Sequence, residues 1–240
     1  MSQPDLIEFN FMASHSGDVI MAMPAIEALR SQGKIVKVAI PKMYREILAP
    51  FKLEFIDKTE VRGTSYKDIK IHITDWWLNK FDVLPQRSAI NPVSPNPFNL
   101  PKEFIVISPG SGAAYKLMSR EFWRAVVQYS ATIPVVMIGP ERERDAIYSR
   151  VTPSTVIDLV GEDNPDTLLH ILQQASVVVT TDTAISHLAD AMGKYTITGF
   201  NQANHHQFKP YWTPHVAFTP EDVVRYLDGS SINTQVNLKA

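Results

Sequence analysis

Three short segments of this 240-residue sequence gather small polar residues around a side chain that can carry charge or move a proton. The first is ASHSGD, residues 13–18, where His15, Ser16 and Gly17 lead into Asp18 at the start of a helical pattern. Small residues there bring backbone N–H groups close together, and Asp18 suits a general base. A carboxylate in a first helical turn is equally a plain capping device, so both roles stand open for Asp18, while His15 fits a loop-shaping residue better than a titrating one. The second segment is SPGSGAAYK, residues 108–116, in which Gly110, Ser111 and Gly112 let a backbone approach a phosphate and Lys116 can neutralise it. It has neither the G-x-x-x-x-G-K-[ST] nor the G-x-G-x-x-G spacing, and a glycine-rich turn after a strand is commonest as a simple connection. The third, TTDTAISH at 180–187, is the most informative, because four consecutive small polar residues follow the apolar SVVV and open a helix. Asp182 would accept from a hydroxylated ligand, and Thr181, Thr183 and the helix start at Ala184 suit an anionic one. The alternative is a capped helix with His187 packed beneath it.

The remaining imidazoles and indoles carry less. His205 and His206 are adjacent, and neighbouring side chains of an extended segment point opposite ways; with His215 apart from them and no acidic ligand set around, no metal site is expected. Trp76, Trp77, Tyr211 and Trp212 read as core or cleft wall.

The elements that must position the three loops alternate. DLIEFNFM reads as a strand and VIMAMPAIEALR as a helix with Ile20, Met23, Ile26 and Leu29 on one buried stripe, in which Pro24 should delay the start or kink the axis. IVKVAIP and KLEFID read as strands around a helix KMYREILAPF, and DIKIHIT at 68–74 as a fourth strand. Leu84 to Pro101 then holds Pro85, Pro92, Pro95, Pro97 and Pro101, which cannot donate to hydrogen-bond ladders and mark a linker. Beyond it the alternation restarts with EFIVISPG, PVVMIG, VIDLV, SVVVTTD and a last strand KYTITGF, separated by helices, of which SREFWRAVVQYSA is capped by Ser119. TPEDVVRYL closes as a helix with Thr219 as N-cap, Pro220 at the first helical position and Asp222 three residues after the cap, followed by a loose tail. Strand-helix alternation implies parallel sheets with right-handed crossovers, in which ligands bind beyond the carboxyl ends of the strands, where the three loops lie. The expected organisation is residues 1–84, a linker at 85–101, a second domain at 102–218, and a C-terminal helix and tail at 219–240.

Composition narrows the class. Hydrophobic residues make up 45%, no apolar run is long enough to span a bilayer, and the N-terminus lacks a basic then apolar leader, so a cytoplasmic protein is expected. Absence of cysteine removes disulfide frameworks and thiolate metal sites. A net charge of −2 speaks against a wholesale phosphate-neutralising surface. No internal repeat of solenoid or propeller type is visible.

In this order, SGDVIMAMPAIEALR, ISPGSGAAYKLMSREFW, PVVMIGPERERDAI and DLVGEDNPDTLLHILQQASVVVTTDTAISHLADAMGKYTITGF resemble the ADP-heptose:lipopolysaccharide heptosyltransferase family, loosely over residues 1–60 and well over 104–228. The resemblance implies an α/β protein of the glycosyltransferase B (GT-B) fold: two Rossmann-like, doubly wound parallel-sheet domains facing a cleft, with a C-terminal helix packing back. It implies an inverting, metal-independent transferase without a cofactor, taking a nucleotide-diphosphate sugar as co-substrate. It assigns Asp18 as general base, Lys116 to the donor phosphate, and Ser111, Gly112, Thr181, Asp182, Thr183, Ala184 and His187 to the donor site, with His15, Ser16 and Gly17 in the acceptor-side loop. The sequence departs from the family between Lys67 and Pro101, where it is short, and after its KYTITGF strand, where FNQANHH stands in place of a phenylalanine-glycine-proline-threonine turn. The acceptor is therefore open among a saccharide, a lipid-linked sugar and a modified nucleobase in nucleic acid. A sugar-nucleotide epimerase and an inactive nucleotide-sugar-binding protein are the rival functions.

Overall fold

A computed structural model describes residues 5–59, 66, 68–92, 97–129, 133–162 and 164–230. The chain forms two compact units, Met1–Asn91 and Pro92–Ala240, whose division falls inside the proline-rich stretch.

The first unit is a small parallel sheet. Strands β1 (Leu6–Asn10), β2 (Ile35–Ala39) and β3 (Glu54–Ile56) pair in the order β1-β2-β3, with Leu6 opposite Ile35 and Lys37 opposite Glu54. Helix α1 (Ser16–Ser31) joins β1 to β2 and runs unbroken through Pro24, so the proline does not delay its start. Pro24 leaves Ile20 O without its usual donor. Nearby carbonyls are also drawn on from outside the helix: Thr74 Oγ1 donates to Met21 O at 2.8 Å, and Gln86 N to Pro24 O at 3.1 Å. The expected stripe is wider than its periodicity, with Val19 through Ile26 all buried, because α2 (Ile73–Phe81) packs on a second face of α1. Phe9, Phe11, Trp77 and Phe81 form the aromatic core between β1 and α2, with ring centroids 5.0 Å apart for Phe9 and Trp77.

Two expectations fail in this unit. KMYREILAPF is not an α-helix but two short 3-10 helices, Lys42–Tyr44 and Glu46–Phe51, bounded by Pro41, interrupted by Pro50 and closed by Lys52 at φ 51°. The segment 68–74 is not a strand: its apolar alternation is broken where His72, Ile73 and Thr74 are buried in succession. His72 Nδ1 accepts from Thr74 N at 3.1 Å and so starts α2 at Ile73, inside the segment expected as a strand.

The second unit holds six parallel strands, β4 (Ile105–Ser108), β5 (Val135–Gly139), β6 (Ile157–Val160), β7 (Val177–Thr181), β8 (Tyr195–Gly199) and β9 (His215–Ala217). Their order is β6-β5-β4-β7-β8-β9. Within the unit this is the dinucleotide-binding order, third-second-first-fourth-fifth-sixth, and it reverses between β4 and β7. The helices are α3 (Arg120–Tyr129), α4 (Arg144–Tyr148), α5 (Pro165–Gln174), α6 (Ala184–Ala191), α7 (His205–Phe208) and α8 (Pro220–Asp228). Strands β4 and β7 are buried along their whole length, as expected for central parallel strands covered on both faces. Phe122, Trp123, Ile147 and Leu227 fill the layers above them. Helix α8 carries the expected capping box, Asp222 N to Thr219 Oγ1 and Thr219 N to Asp222 Oδ2, and packs on α3 of its own unit.

KYTITGF is not the last strand, since β9 follows it as a three-residue edge. The approach to that edge is ordered by Asp190, buried at the end of α6, whose carboxylate accepts from Tyr211 N, Trp212 N, Thr213 N and Thr213 Oγ1 at 2.7–2.9 Å. Residues 231–240, most of the tail expected to be loose, lie outside the described residues.

Candidate active site

The topology brings two of the three loops together. Beyond β4 runs the glycine-rich loop, and beyond β7 the segment Asp182–Thr183 leads into α6, so both sit at the reversal of strand order. They are bonded to each other. Thr181 Oγ1 donates to Gly110 O at 2.6 Å, and Lys116 Nζ lies 2.8 Å from Asp182 Oδ2.

The ion pair is unequal in burial. The Asp182 side chain is 4% exposed and that of Lys116 27%, so the pair presents its ammonium to solvent and hides its carboxylate. Asp182 Oδ2 has no aligned hydrogen bond among the described residues and is balanced by the neighbouring charge alone. Burial raises the Asp182 carboxyl above its ordinary value, and Lys116 pulls it back only in part.

Beside this pair, α6 starts uncapped. Thr183 is its N-cap without a capping hydrogen bond; its Oγ1 lies 3.4 Å from Thr180 Oγ1 instead. Among the described residues the N–H groups of Ala184 and Ile185 meet no acceptor, which leaves two donors and the positive end of the helix dipole next to Lys116 and Asp182. His187, a turn further on, is 6% exposed, packed beneath the helix start, and Ser186 Oγ pairs with Thr198 Oγ1 at 2.8 Å. Thr181 is fully buried and its hydroxyl is committed to Gly110, so it holds the two loops in register. Ser111 and Gly112 lie partly or wholly at the surface, Ser111 Oγ accepting from Ala113 N at 3.2 Å.

One acidic residue of this loop set escapes the sequence reading. Glu143, in the 3-10 turn after β5, sets its carboxylate against the glycine-rich loop: a Cβ at Gly110 would lie 2.4 Å from Glu143 Oε2. A side chain at 110 would have to displace the end of Glu143 and press on Ile147, whose Cδ1 and Cγ1 would lie 3.2 Å from its Cβ. The Glu-rich run ERERD after PVVMIG was the available signal, but nothing in it distinguishes Glu143 from Glu141, which instead pairs with Arg144.

The ASHSGD loop lies in the other unit, beyond the carboxyl end of β1. Asp18 occupies the third position of α1 and accepts from His15 N at 2.8 Å, a capping interaction; Ser16 is buried, and Gly17 and Asp18 are half-buried. His15 is exposed with its ring 5.4 Å from that of Tyr44, beyond β2. The charge of Asp18 contributes, after burial, to holding the Tyr66 phenol well above its ordinary value, so the two groups share one neighbourhood.

The histidines do not converge. His205 and His206 stand on the single helical turn α7, with rings 3.9 Å apart on one side, not opposed as in an extended segment, because Asn204 Oδ1 caps the turn at His206 N. His215 stacks on Tyr195. Among the described residues no group of three or more His, Asp or Glu side chains is placed to hold a metal ion. None of the described helices is long and apolar enough to cross a membrane.

Solved structures with this fold are glycosyltransferases. The glycosyl transferase family 9 protein from Veillonella parvula DSM 2008 is similar over 94% of this chain and 92% of its own, at 13% identity and a TM-score of 0.70. For E. coli ADP-heptose lps heptosyltransferase II the shares are 97% and 100%, at 14% identity and a TM-score of 0.70. For E. coli heptosyltransferase WaaC with ADP they are 95% and 97%, at 13% identity and a TM-score of 0.63. These likenesses establish the GT-B fold. No curated protein sequence matches the chain. The profile of glycosyltransferase family 9 (heptosyltransferase) matches residues 75–221, from α2 into α8, and takes in both loops that meet at the Lys116–Asp182 pair. With well over half of its length in that match, the chain belongs to glycosyltransferase family 9 and is a glycosyltransferase enzyme.

Proposed function

We propose that this enzyme moves a sugar from an ADP-heptose-like donor to a saccharide hydroxyl, with inversion and without a metal ion. The observation that carries the donor half is the Lys116–Asp182 pair beside the uncapped start of α6. Together these offer one exposed cation and two fixed N–H donors at the strand-order reversal, where a diphosphate would be held by charge and dipole. Asp182, and Glu143 against the glycine-rich loop, are the acceptors for hydroxyl groups of the sugar and ribose. A nucleotide-sugar donor goes with a cytoplasmic reaction.

In the reaction the acceptor oxygen attacks the anomeric carbon as the bond from that carbon to the diphosphate oxygen breaks. The electron pair leaves with the diphosphate, whose growing charge Lys116 and the N–H groups of α6 offset. The acceptor proton passes to Asp18, whose carboxylate is already oriented by His15 N.

Asp18→Asn tests the base directly. Transfer should be lost while calorimetry still shows donor binding, and transfer at the wild-type rate would leave Asp18 as a cap alone. Binding and turnover across ADP-, UDP- and GDP-sugars, with and without a divalent cation, should single out one ADP-sugar and show no cation requirement. Product analysis without acceptor separates transfer from epimerisation.

A further inference from the structure

The segment from Tyr195 to Phe208, YTITGFNQANHHQF, contains no Asp, Glu, Lys or Arg, although charged residues stand at Lys194 and Lys209 on either side of it. Its second half leaves the carboxyl end of β8, next to β7 and the Asp182 loop. It is fastened to the Lys116 segment: Asn201 Nδ2 donates to Leu117 O at 3.2 Å, and β8 ends so close to Met118 that a Cβ at Gly199 would lie 2.7 Å from Met118 Cγ.

What the segment presents is polar, without Asp, Glu, Lys or Arg, beside one aromatic face. Asn201, Gln202 and His206 are exposed, and among the described residues Asn201 Oδ1, the Gln202 amide and the ring nitrogens of His206 have no hydrogen-bond partner. Asn204 is used up in building the turn, accepting from His206 N and donating to Gln207 Oε1 at 2.9 Å. Phe218, beyond the neighbouring strand β9, is 48% exposed and meets the His205 ring edge-on at 5.0 Å. Burial, with His206 and Lys209 nearby, holds the His205 imidazole below its ordinary value.

Amides and imidazole nitrogens supply hydrogen-bonding groups that match vicinal hydroxyls, and an exposed phenyl face suits the C–H face of a pyranose; the segment holds no Lys or Arg to anchor an anion. Position agrees with chemistry. The segment leaves β8, the strand next to β7, and adjacent strands are only about 4.8 Å apart, so a sugar joined to a diphosphate over the reversal between β4 and β7 lies within its reach.

We propose that Asn201, Gln202, His206 and Phe218 form the subsite for the donor's sugar, a neutral polyol, and that this subsite selects which sugar is transferred. The proposal rests on the nucleotide-sugar reading above. Calorimetric titration with ADP and with ADP-heptose, on wild type, Lys116→Ala, His206→Ala and Phe218→Ala, tests it, with His206→Gln and Phe218→Leu as conservative partners. The expected result is at least a tenfold loss of ADP-heptose affinity in His206→Ala and Phe218→Ala, partial recovery in the conservative variants, and ADP affinity within twofold of wild type throughout these four. Lys116→Ala should weaken ADP and ADP-heptose alike. Equal effects on the two ligands in the His206 and Phe218 variants, or no effect, overturns the subsite while leaving the donor reading intact. Failure of the wild type to bind either ligand overturns both.

Discussion

Replacing Lys116 by Met removes the charge that balances a carboxylate 4% exposed, at a distance of 2.8 Å, with no aligned hydrogen bond to its Oδ2. Breaking a buried pair on one side costs roughly 3–5 kcal/mol, and because the Lys116 side chain is 27% exposed solvent screening reduces this to about 2–4 kcal/mol. Asp182 can escape part of that cost by taking a proton, at about 1.4 kcal/mol for each unit of pH above its own pKa. Its carboxyl is already raised by burial, and Lys116→Met removes the charge that pulls it back. A carboxyl that titrates higher folded than unfolded binds more protons in the folded chain. The stability it allows is fully present below the unfolded value of about 3.9 and is lost as pH rises through the folded one. The penalty of Lys116→Met relative to wild type should therefore grow as pH rises above the unfolded value of about 3.9, measured by urea unfolding. Asp182→Asn on the same background removes the stranded charge, so the double variant should return to within about 1 kcal/mol of wild type. A Lys116→Met protein as stable as wild type at every pH, or a double variant no better than the single, would refute the reasoning.

The other perturbations separate holding from chemistry. Thr181→Val leaves Gly110 O without its buried donor and should cost about 1–3 kcal/mol in urea unfolding, with weaker ADP binding from the loosened loops. Asp190→Ala strips four hydrogen bonds from the approach to β9 and should cost about 3–5 kcal/mol, with faster hydrogen exchange at Tyr211 to Thr213, and no change in ADP affinity if that turn is purely structural. Asp18→Ala should lose about 0.5–2 kcal/mol of stability through the missing cap, whereas Asp18→Asn, which keeps an oxygen for His15 N, should lose less; equal losses would mean the cap does not matter.

The second unit was largely legible because its strands are continuous apolar runs such as FIVIS and SVVVT, bounded by turn residues and followed by well-signalled caps at Ser119 and Thr219. Where local pattern and tertiary context disagreed, context won. Ile69, Ile71 and Ile73 alternate like a strand, yet a side-chain cap from His72 and the face offered by α1 make a helix from Ile73 onward. HVA is too short to announce β9, and its place is set by Asp190, far away in sequence. In the site, Lys116 and Asp182 could each be singled out by type, but that they pair depends on β4 and β7 being neighbours. Glu143 was hidden for the same reason, since its contact with Gly110 crosses from one strand end to another.

Pro24 marks the stretch of α1 that ties the first unit together across the sequence. A helix normally satisfies its own carbonyls as it propagates, one residue after another. Helix α1 lacks one internal donor, and it takes an outside bond from Thr74, 53 residues further along, and another from Gln86. Neither bond restores the donor that Ile20 O lacks; each ties α1 to a segment far along the chain, so the helix is held by contacts whose loops close non-locally. Ala at position 24 would return a donor to Ile20 O and leave both outside bonds in place.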